Sequence, residues 1–421
     1  MKSRKEEKAM EIVWQTPEIR PQRQDYIFRD GRRHVRPYNF EFICHVKKRW
    51  AGKTIVDLFT DEFKGRPYDY YVSAVKSGRI QVEGVMVPVS YIVKTSQKIS
   101  HFVHRHEPPV MTCDISILQE EPDVVVVCKP ASVPVHSCGQ YRKNTVVGIL
   151  EAEHGLAPLF RIQSFKHYTF GSTYFNIMIF CSEILYILYY TFLDMIMLAI
   201  HRLDRLVSGL LILAKSSSKA NYFRQQIEGG MVQKQYIARV AGEFPEQEQL
   251  VNANVIHDPR ECRSTAEVSD LCDDTLIKGK TACTKFTRLS TNGIHSLVLC
   301  EPVTGRTHQI RVHLQHVGYP IANDMLYLSK HVNGRSTEGM GADRTAVNSR
   351  PFLTSGFCEN LSTGHVDPNE DFSIDPMCTN CPNLVPKGYD VHEEALWLHC
   401  VRYSAPGWTY ECPYPDWASV T

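Results

Sequence analysis

Residues 123–130, Asp-Val-Val-Val-Val-Cys-Lys-Pro, leave the backbone little choice. Four consecutive β-branched side chains favour the pleated backbone over the helix, and the proline stops the run. Without polar alternation the run reads as a strand buried on both faces. Residues 209–214, Gly-Leu-Leu-Ile-Leu-Ala, read the same way, and residues 236–242 alternate as a half-buried strand. Segments 286–289 and 296–300 flank Asn292-Gly293, a hairpin signal, and residues 307–317 have the pattern of a helix. Strands outnumber helices and no βαβ alternation is sustained. The expected class over 114–330 is therefore α+β, with a mixed, mostly antiparallel sheet.

Upstream, residues 53–63 place Ile55, Leu58, Phe59 and Phe63 at helical spacing, and a second helical stretch covers 70–76. Ser77-Gly78-Arg79-Ile80-Gln81-Val82-Glu83-Gly84 adds a glycine cap, an alternating strand and a turn. Two short helices and a small β element over 51–113, with Lys76 and Arg79 exposed, resemble the S4-type RNA-binding module. A small α+β cap without RNA contacts is the plainer alternative. Residues 1–50 read as a basic extension, 331–376 as a Gly/Ser/Thr/Asn-rich linker, and 377–421 as a small tryptophan-rich unit.

The net charge is +1, so bulk charge points to no polyanion. Its distribution does: residues 1–50 hold 13 Lys/Arg against 7 Asp/Glu, and residues 351–421 hold 2 against 10. Fourteen scattered cysteines in 421 residues fit free thiols in a reducing compartment rather than a disulfide scaffold. No secretory or transit signal opens the sequence, so cytosol or nucleus is expected, with a monomer as the default state.

Residues 174–200 are rich in Phe, Ile, Tyr, Leu and Met and are long enough to cross a bilayer, which takes about 20 residues. Glu183 and Asp194 interrupt them, each costing roughly 2.5–3.5 kcal/mol near the bilayer centre, so a span is not the preferred reading. A helix buried against the protein is a second reading. A third, which we favour, is translated A/T-rich non-coding sequence such as a retained intron.

His201-Arg-Leu-Asp-Arg-Leu-Val-Ser-Gly-Leu-Leu-Ile-Leu-Ala-Lys215 puts Asp204 between Arg202 and Arg205 on a loop that runs into the apolar strand. An aspartate, ordinarily ionised above about pH 4, can act as nucleophile or base, and arginines suit phosphate. On physics alone a surface salt bridge is the preferred reading of the same residues. The whole string, however, resembles the catalytic motif of the RluA family of pseudouridine synthases. Lys129-Pro130 with Val133-Pro134-Val135-His136, Lys234-Gln-Tyr236-Ile-Ala-Arg-Val-Ala-Gly242, and Thr304-Gly-Arg-Thr-His-Gln-Ile-Arg-Val-His-Leu314 with Gly318-Tyr-Pro-Ile-Ala-Asn-Asp324 resemble the family's other motifs in order. The match covers roughly 120–330, and the flanking parts look most like the eukaryotic RNA pseudouridylate synthase domain-containing protein 2 type.

The resemblance implies isomerisation of uridine to pseudouridine in structured RNA (tRNA or rRNA, or mRNA), with no cofactor and no metal. It implies Asp204 as the catalytic carboxylate, Arg311 paired with it, and Tyr236 stacked on the extruded base and assisting removal of the C5 proton. Arg202 and Arg205 would hold backbone phosphates or fill the gap left by the base. Arg306 and His308 would do likewise, or cap a helix. One departure stands out: residues 156–159 should run almost directly into the His201 motif, yet about 40 residues intervene, and they are the apolar stretch. A real, disruptive insert would leave a catalytically inactive RNA-binding protein.

Cys378-Thr-Asn-Cys381 is a lone CxxC. Zinc needs four ligands, and neither a second CxxC nor a regular histidine spacing accompanies it, so free thiols are expected. Met377 stands where a zinc deaminase carries proline, and no suitable His-x-Glu lies upstream. No phosphate-cradling glycine loop and no Gly-x-Ser-x-Gly elbow is present.

Overall fold

The computed structural model describes residues 20–63, 66–156, 203–258, 261–267, 279–328, 372–387, 389 and 395–419. The chain divides into two units, each assembled from segments far apart in sequence: 35–107 with 365–386, and 20–34 with 108–364 and 387–421. The insert 160–199, Arg202 and most of the expected linker lie outside the described residues.

Two short strands, β1 (Tyr26–Arg29) and β2 (Arg32–Val35), open the described chain. The smaller unit follows with β3 (Tyr38–His45), α1 (Ile55–Glu62), α2 (Tyr68–Lys76), β4 (Ile80–Val82), β5 (Val85–Met86) and β6 (Lys98–Arg105). Its sheet has the order β3-β6-β4-β5. Thr54 caps α1, its hydroxyl accepting from the Asp57 amide at 3.1 Å. The helical spacing noted above buries Ile55, Leu58 and Phe59 against Ile80, Val82 and Ile99 of the sheet. Phe63, the fourth residue of that pattern, lies just past the helix end and remains 39% exposed.

The larger unit continues with β7 (Val110–Met111), β8 (Ser116–Glu120), β9 (Val124–Lys129), α3 (Val146–His154), β10 (Ser208–Ala214), α4 (Ser217–Glu228) and β11 (Gln233–Ala241). Then come β12 (Gln249–Asn252), β13 (Asn254–Asp258), β14 (Arg263–Glu267), β15 (Cys283–Thr291), β16 (His295–Pro302), α5 (Gln309–His316), β17 (Leu398–Ala405) and β18 (Trp408–Glu411). A nine-stranded sheet runs β12-β15-β16-β11-β17-β10-β9-β8, with β18 on β17. Only β10 with β17 is parallel; the other pairs are antiparallel, so the sheet is mixed and mostly antiparallel as the sequence pattern implies.

The valine run is β9, and the 209–214 run is β10, buried from Gly209 to Ala214 between β9 and β17. Along β11, Tyr236, Ala238 and Val240 face the main core, while Ile237 packs on the other face with Leu297, Val401 and Ala418.

Three expectations need correction. Residues 20–50 are not an irregular extension: they supply β1, β2 and β3. The tryptophan-rich tail is not one appended unit, since residues up to 386 belong with the smaller body and β17 lies inside the nine-stranded sheet, between β11 and β10. Its strand, Leu398-His-Cys-Val-Arg-Tyr-Ser-Ala405, mixes polar and apolar residues, and nothing local reveals a central position. Arg79, expected to be exposed, is 3% exposed and forms a bidentate ion pair with Asp375. A guanidinium held this way is committed to its carboxylate and not to phosphate. Lys76 is exposed at the end of α2, as expected.

Candidate active site

Asp204 lies on the turn that enters β10. The Val207 amide donates to the Asp204 carbonyl at 3.1 Å, closing the turn. Lys129, at the end of β9 and fully buried, holds the turn from beneath: its ammonium donates to the carbonyls of Arg205, at 3.0 Å, and Pro130, at 2.8 Å. Burial and the neighbouring Arg205 charge bring the Lys129 pKa down to about 7, against the pull of Asp204. From the far end of the chain, the Leu396 amide donates to the Leu206 carbonyl at 3.1 Å. The loop is thus fixed by backbone contacts, while the Asp204 side chain stays about one-third exposed.

Among the described residues, two groups of the 308–316 region face the Asp204 carboxylate. Arg311 Nη1 and His308 Nε2 each lie 3.6 Å from its Oδ2. Arg311 lies in α5 and His308 is its N-cap, in a left-handed conformation (φ 57°). Arg311 is itself clamped, since its Nε and Nη2 donate to the two oxygens of buried Asp324 at 2.6 and 2.8 Å. Burial alone would lower the Arg311 pKa, but Asp324 and Asp204 outweigh it and keep the guanidinium charged. Its carbon also sits 4.9 Å from the Tyr327 ring centre.

The His308 tautomer follows from its neighbours. The Ser264 amide donates to the Tyr327 hydroxyl at 2.8 Å, and that hydroxyl lies 2.9 Å from His308 Nδ1. The Asp204 carboxylate beside Nε2 can only accept, so the neutral ring carries its hydrogen on Nε2 and the Tyr327 hydroxyl donates to Nδ1. Burial, against the pull of Asp204 and with help from Arg311, lowers the His308 pKa to about 4. The ring is neutral at pH 7 and a donor, so between these two groups Arg311 carries the positive charge that faces the carboxylate.

Tyr236, on β11, is 8% exposed, and its hydroxyl lies 2.9 Å from that of Tyr403 on β17. Burial and the adjacent Tyr403 and Cys400 hold its pKa well above the usual phenol value, so it remains protonated. Arg205 is half-buried, with its guanidinium 3.4 Å from the Ser132 carbonyl and 5.8 Å from the Tyr141 ring centre. Arg306 is exposed on the loop before α5, where Gln309 accepts its amide at 3.0 Å and the Thr281 carbonyl accepts its Nε at 3.1 Å.

Asp204, Arg311 and His308 are therefore brought together, with Arg205 on the same turn. Arg306 stays on the approach to α5, and Lys76 and Arg79 belong to the other unit. Sequence reasoning quoted Lys129 and Asp324 inside motifs without a task for either. Asp324 is the only charged residue in Gly318-Tyr-Pro-Ile-Ala-Asn-Asp324, a signal that a buried partner such as Arg311 awaits it. Tyr327 and Tyr403 had no local signal.

Residues 187–316 match the protein family described as RNA pseudouridylate synthase. The rice protein "RNA pseudouridine synthase 7" is 62% identical over 97% of this chain and 95% of its own length. The Arabidopsis protein of that name is 59% identical, over 98% and 93%. This chain belongs to the RNA pseudouridine synthase family. It is of the RluA type, and a yeast member, "tRNA pseudouridine(32) synthase, mitochondrial", is 31% identical over 92% of this chain and 77% of its own. Such a synthase is an isomerase that converts uridine to pseudouridine within RNA. No described helix is long and apolar enough to cross a membrane.

Proposed function

We propose that Asp204 is the catalytic carboxylate of this synthase and that transfer RNA is its substrate. The observation that carries the first part is the position of Asp204 Oδ2, 3.6 Å from both Arg311 Nη1 and His308 Nε2 on a loop pinned by Lys129. The reaction is an isomerisation: the C1′–N1 bond breaks, the freed uracil turns, C1′–C5 forms, and the C5 proton is lost as N1 gains one. Atoms and electrons balance within the nucleotide, so a carboxylate at C1′, a surface for the turning base and a way out for one proton are sufficient. Arg311 and the neutral His308 orient the carboxylate, and Tyr236, kept a phenol, offers a ring face to the base.

The uridine must leave its stack, at a cost of a few kcal/mol that is lowest in loops. Arg205, with Arg202, holds the phosphates on either side, Arg306 extends the basic rim, and exposed Lys47, Lys48 and Lys76 suit the smaller unit to RNA backbone. An S4-type role for that unit rests on its helix–helix–strand order and these lysines. Transfer RNA is favoured by the yeast relatives named "tRNA pseudouridine(32) synthase, mitochondrial" and "tRNA pseudouridine(31) synthase". The described cysteines form no disulfides among themselves, which suits a reducing compartment, cytosol or nucleus, and we take the working unit to be a monomer.

The test is nucleoside mass spectrometry on unmodified tRNA and rRNA transcripts incubated with the natural protein and with Asp204→Ala. New pseudouridine in tRNA from the first, falling by at least about a thousandfold in the second while RNA binding persists, supports both parts. Product that survives Asp204→Ala removes Asp204 from the chemistry, and product confined to rRNA removes tRNA as substrate.

A further inference from the structure

Outside the active site, four side chains with metal-binding atoms meet in the smaller unit. His104 lies near the end of β6, and His106 follows two residues on. Cys378 and Cys381 come from segment 372–387, more than 270 residues later. Their ligand atoms all lie within 4.8 Å of one another. His104 Nδ1 is 3.2 Å from His106 Nε2 and 3.2 Å from Cys381 Sγ, and Cys381 Sγ is 3.5 Å from His106 Nε2.

These separations are the edges of a zinc tetrahedron. Zn–N bonds of about 2.0–2.1 Å and Zn–S bonds of about 2.3 Å give N···N edges of about 3.3 Å and N···S edges of about 3.5 Å. The ring orientations agree. The carbonyl of Leu384 can only accept, so His106 Nδ1 donates to it, at 3.4 Å, and the Nε2 lone pair turns toward the cluster. Both histidines are buried, and it is Nδ1 of His104 that faces His106 and Cys381. The Asn380 amide points at Cys378 Sγ from 3.5 Å, a contact that favours a thiolate. Arg79 and Asp375 secure the start of the cysteine segment, with the Met377 amide donating to Asp375 at 2.9 Å.

The larger unit offers a comparison. Cys128, His399 and Cys412 also cluster. Both nitrogens of His399 are already engaged, by Ser208 at 2.8 Å and by the Pro413 carbonyl at 3.1 Å, and only three ligands are present.

We propose that His104, His106, Cys378 and Cys381 form a structural Cys2His2 zinc site that fastens segment 372–387 to β6. Two imidazoles and two thiolates at tetrahedral spacing suit zinc, and four protein ligands leave no open position for catalysis. The ion closes a very long loop within the smaller unit, next to the Arg79–Asp375 pair that starts the segment. The lone CxxC is then half of a site whose other half is His-x-His on a strand.

The test is metal content and ligand spectroscopy on the full chain. The natural protein, purified from zinc-replete cells and dialysed against metal-free buffer, is expected to hold one zinc by plasma mass spectrometry. Cobalt exchange should give the strong visible bands of tetrahedral Co(II) with a thiolate charge-transfer band. Titrating native protein with an organomercurial should release the zinc, a readout that needs no variant to fold. Cys378→Ser/Cys381→Ser should lose the metal and Cys128→Ser should keep it. The proposal is overturned if the natural protein holds less than about a tenth of an equivalent and binds added zinc more weakly than about 50 nM. Retention of zinc by the double variant, its loss from Cys128→Ser, the weak bands of octahedral cobalt, or a Cys378–Cys381 disulfide in freshly purified protein would each overturn it too.

Discussion

His308 connects the chemistry of this site to its stability. An unfolded histidine takes up a proton near pH 6.5, whereas His308 in the folded protein resists until about pH 4. Between those values the unfolded chain binds more protons, so stability is intact above about pH 6.5 and drains away as the pH falls toward 4. The lost contribution is about 3 kcal/mol for this one group. Histidines 34, 101 and 399 act in the same direction, each held down chiefly by burial. We expect the urea midpoint of the natural protein to fall steadily from pH 6.5 to 4, and His308→Gln to flatten the slope without abolishing it. Equal slopes in the two proteins would show that His308 is not buried as a neutral ring. Arg311 should be intolerant for another reason. Arg311→Lys keeps the charge but loses the two-pronged contact with Asp324, leaving a buried carboxylate poorly satisfied, a loss of about 3 kcal/mol. Thermal unfolding should register that drop, and Asp324→Asn in the same background should recover part of it. The identities of Asp204, Arg311 and Tyr236 could be read from motifs, but not the tautomer of His308 or the clamp on Arg311. Both depend on Tyr327 and Asp324, placed by folding rather than by neighbourhood in the chain.

Gly209 shows how closely two elements can meet. It opens the buried part of β10 at φ +110°, and a Cβ there would lie 2.3 Å from the Cys400 carbonyl oxygen and 2.5 Å from its amide nitrogen. Backbone atoms of β17 cannot yield that distance without parting the parallel pair in which Gly209 faces Cys400. Gly209→Ala should therefore destabilise the larger unit by about 3 kcal/mol or more. Gly293→Ala, in a hairpin turn at φ +85° with open space around it, should cost only about 1–2 kcal/mol. Comparing the two melting temperatures checks this, and equal shifts would contradict the close approach. Local pattern exposed the strands themselves: the valine run is β9, the apolar run is β10, and Asn292-Gly293 joins β15 to β16. It was silent on which strands are neighbours, because side-chain alternation reports burial and not the identity of the partner.

The course of the chain through both bodies has consequences for its far end. A protein truncated after residue 394 loses β17 from between β11 and β10 and should be insoluble, although the missing segment reads as an appendage. A soluble, active truncation would refute the observed strand order. The apolar residues 160–199 lie outside the described residues, and their origin is decided at the transcript. We expect amplification across codons 155–202 to yield mainly a product without them; a majority product that encodes them would sink the retained-intron reading. By itself the sequence determined many of the elements, the synthase motifs and the residue we propose as the catalytic carboxylate, because periodicity, caps and contiguous motifs are written in neighbouring positions. Only the tertiary structure decided that β17 completes the sheet, that Arg79 is buried against Asp375, that Asp324 and Tyr327 set the partners of Asp204, and that a His-x-His meets a CxxC. These contacts join residues from 13 to almost 300 positions apart, and contact at that range is chosen by the packing of the whole chain rather than by any local preference.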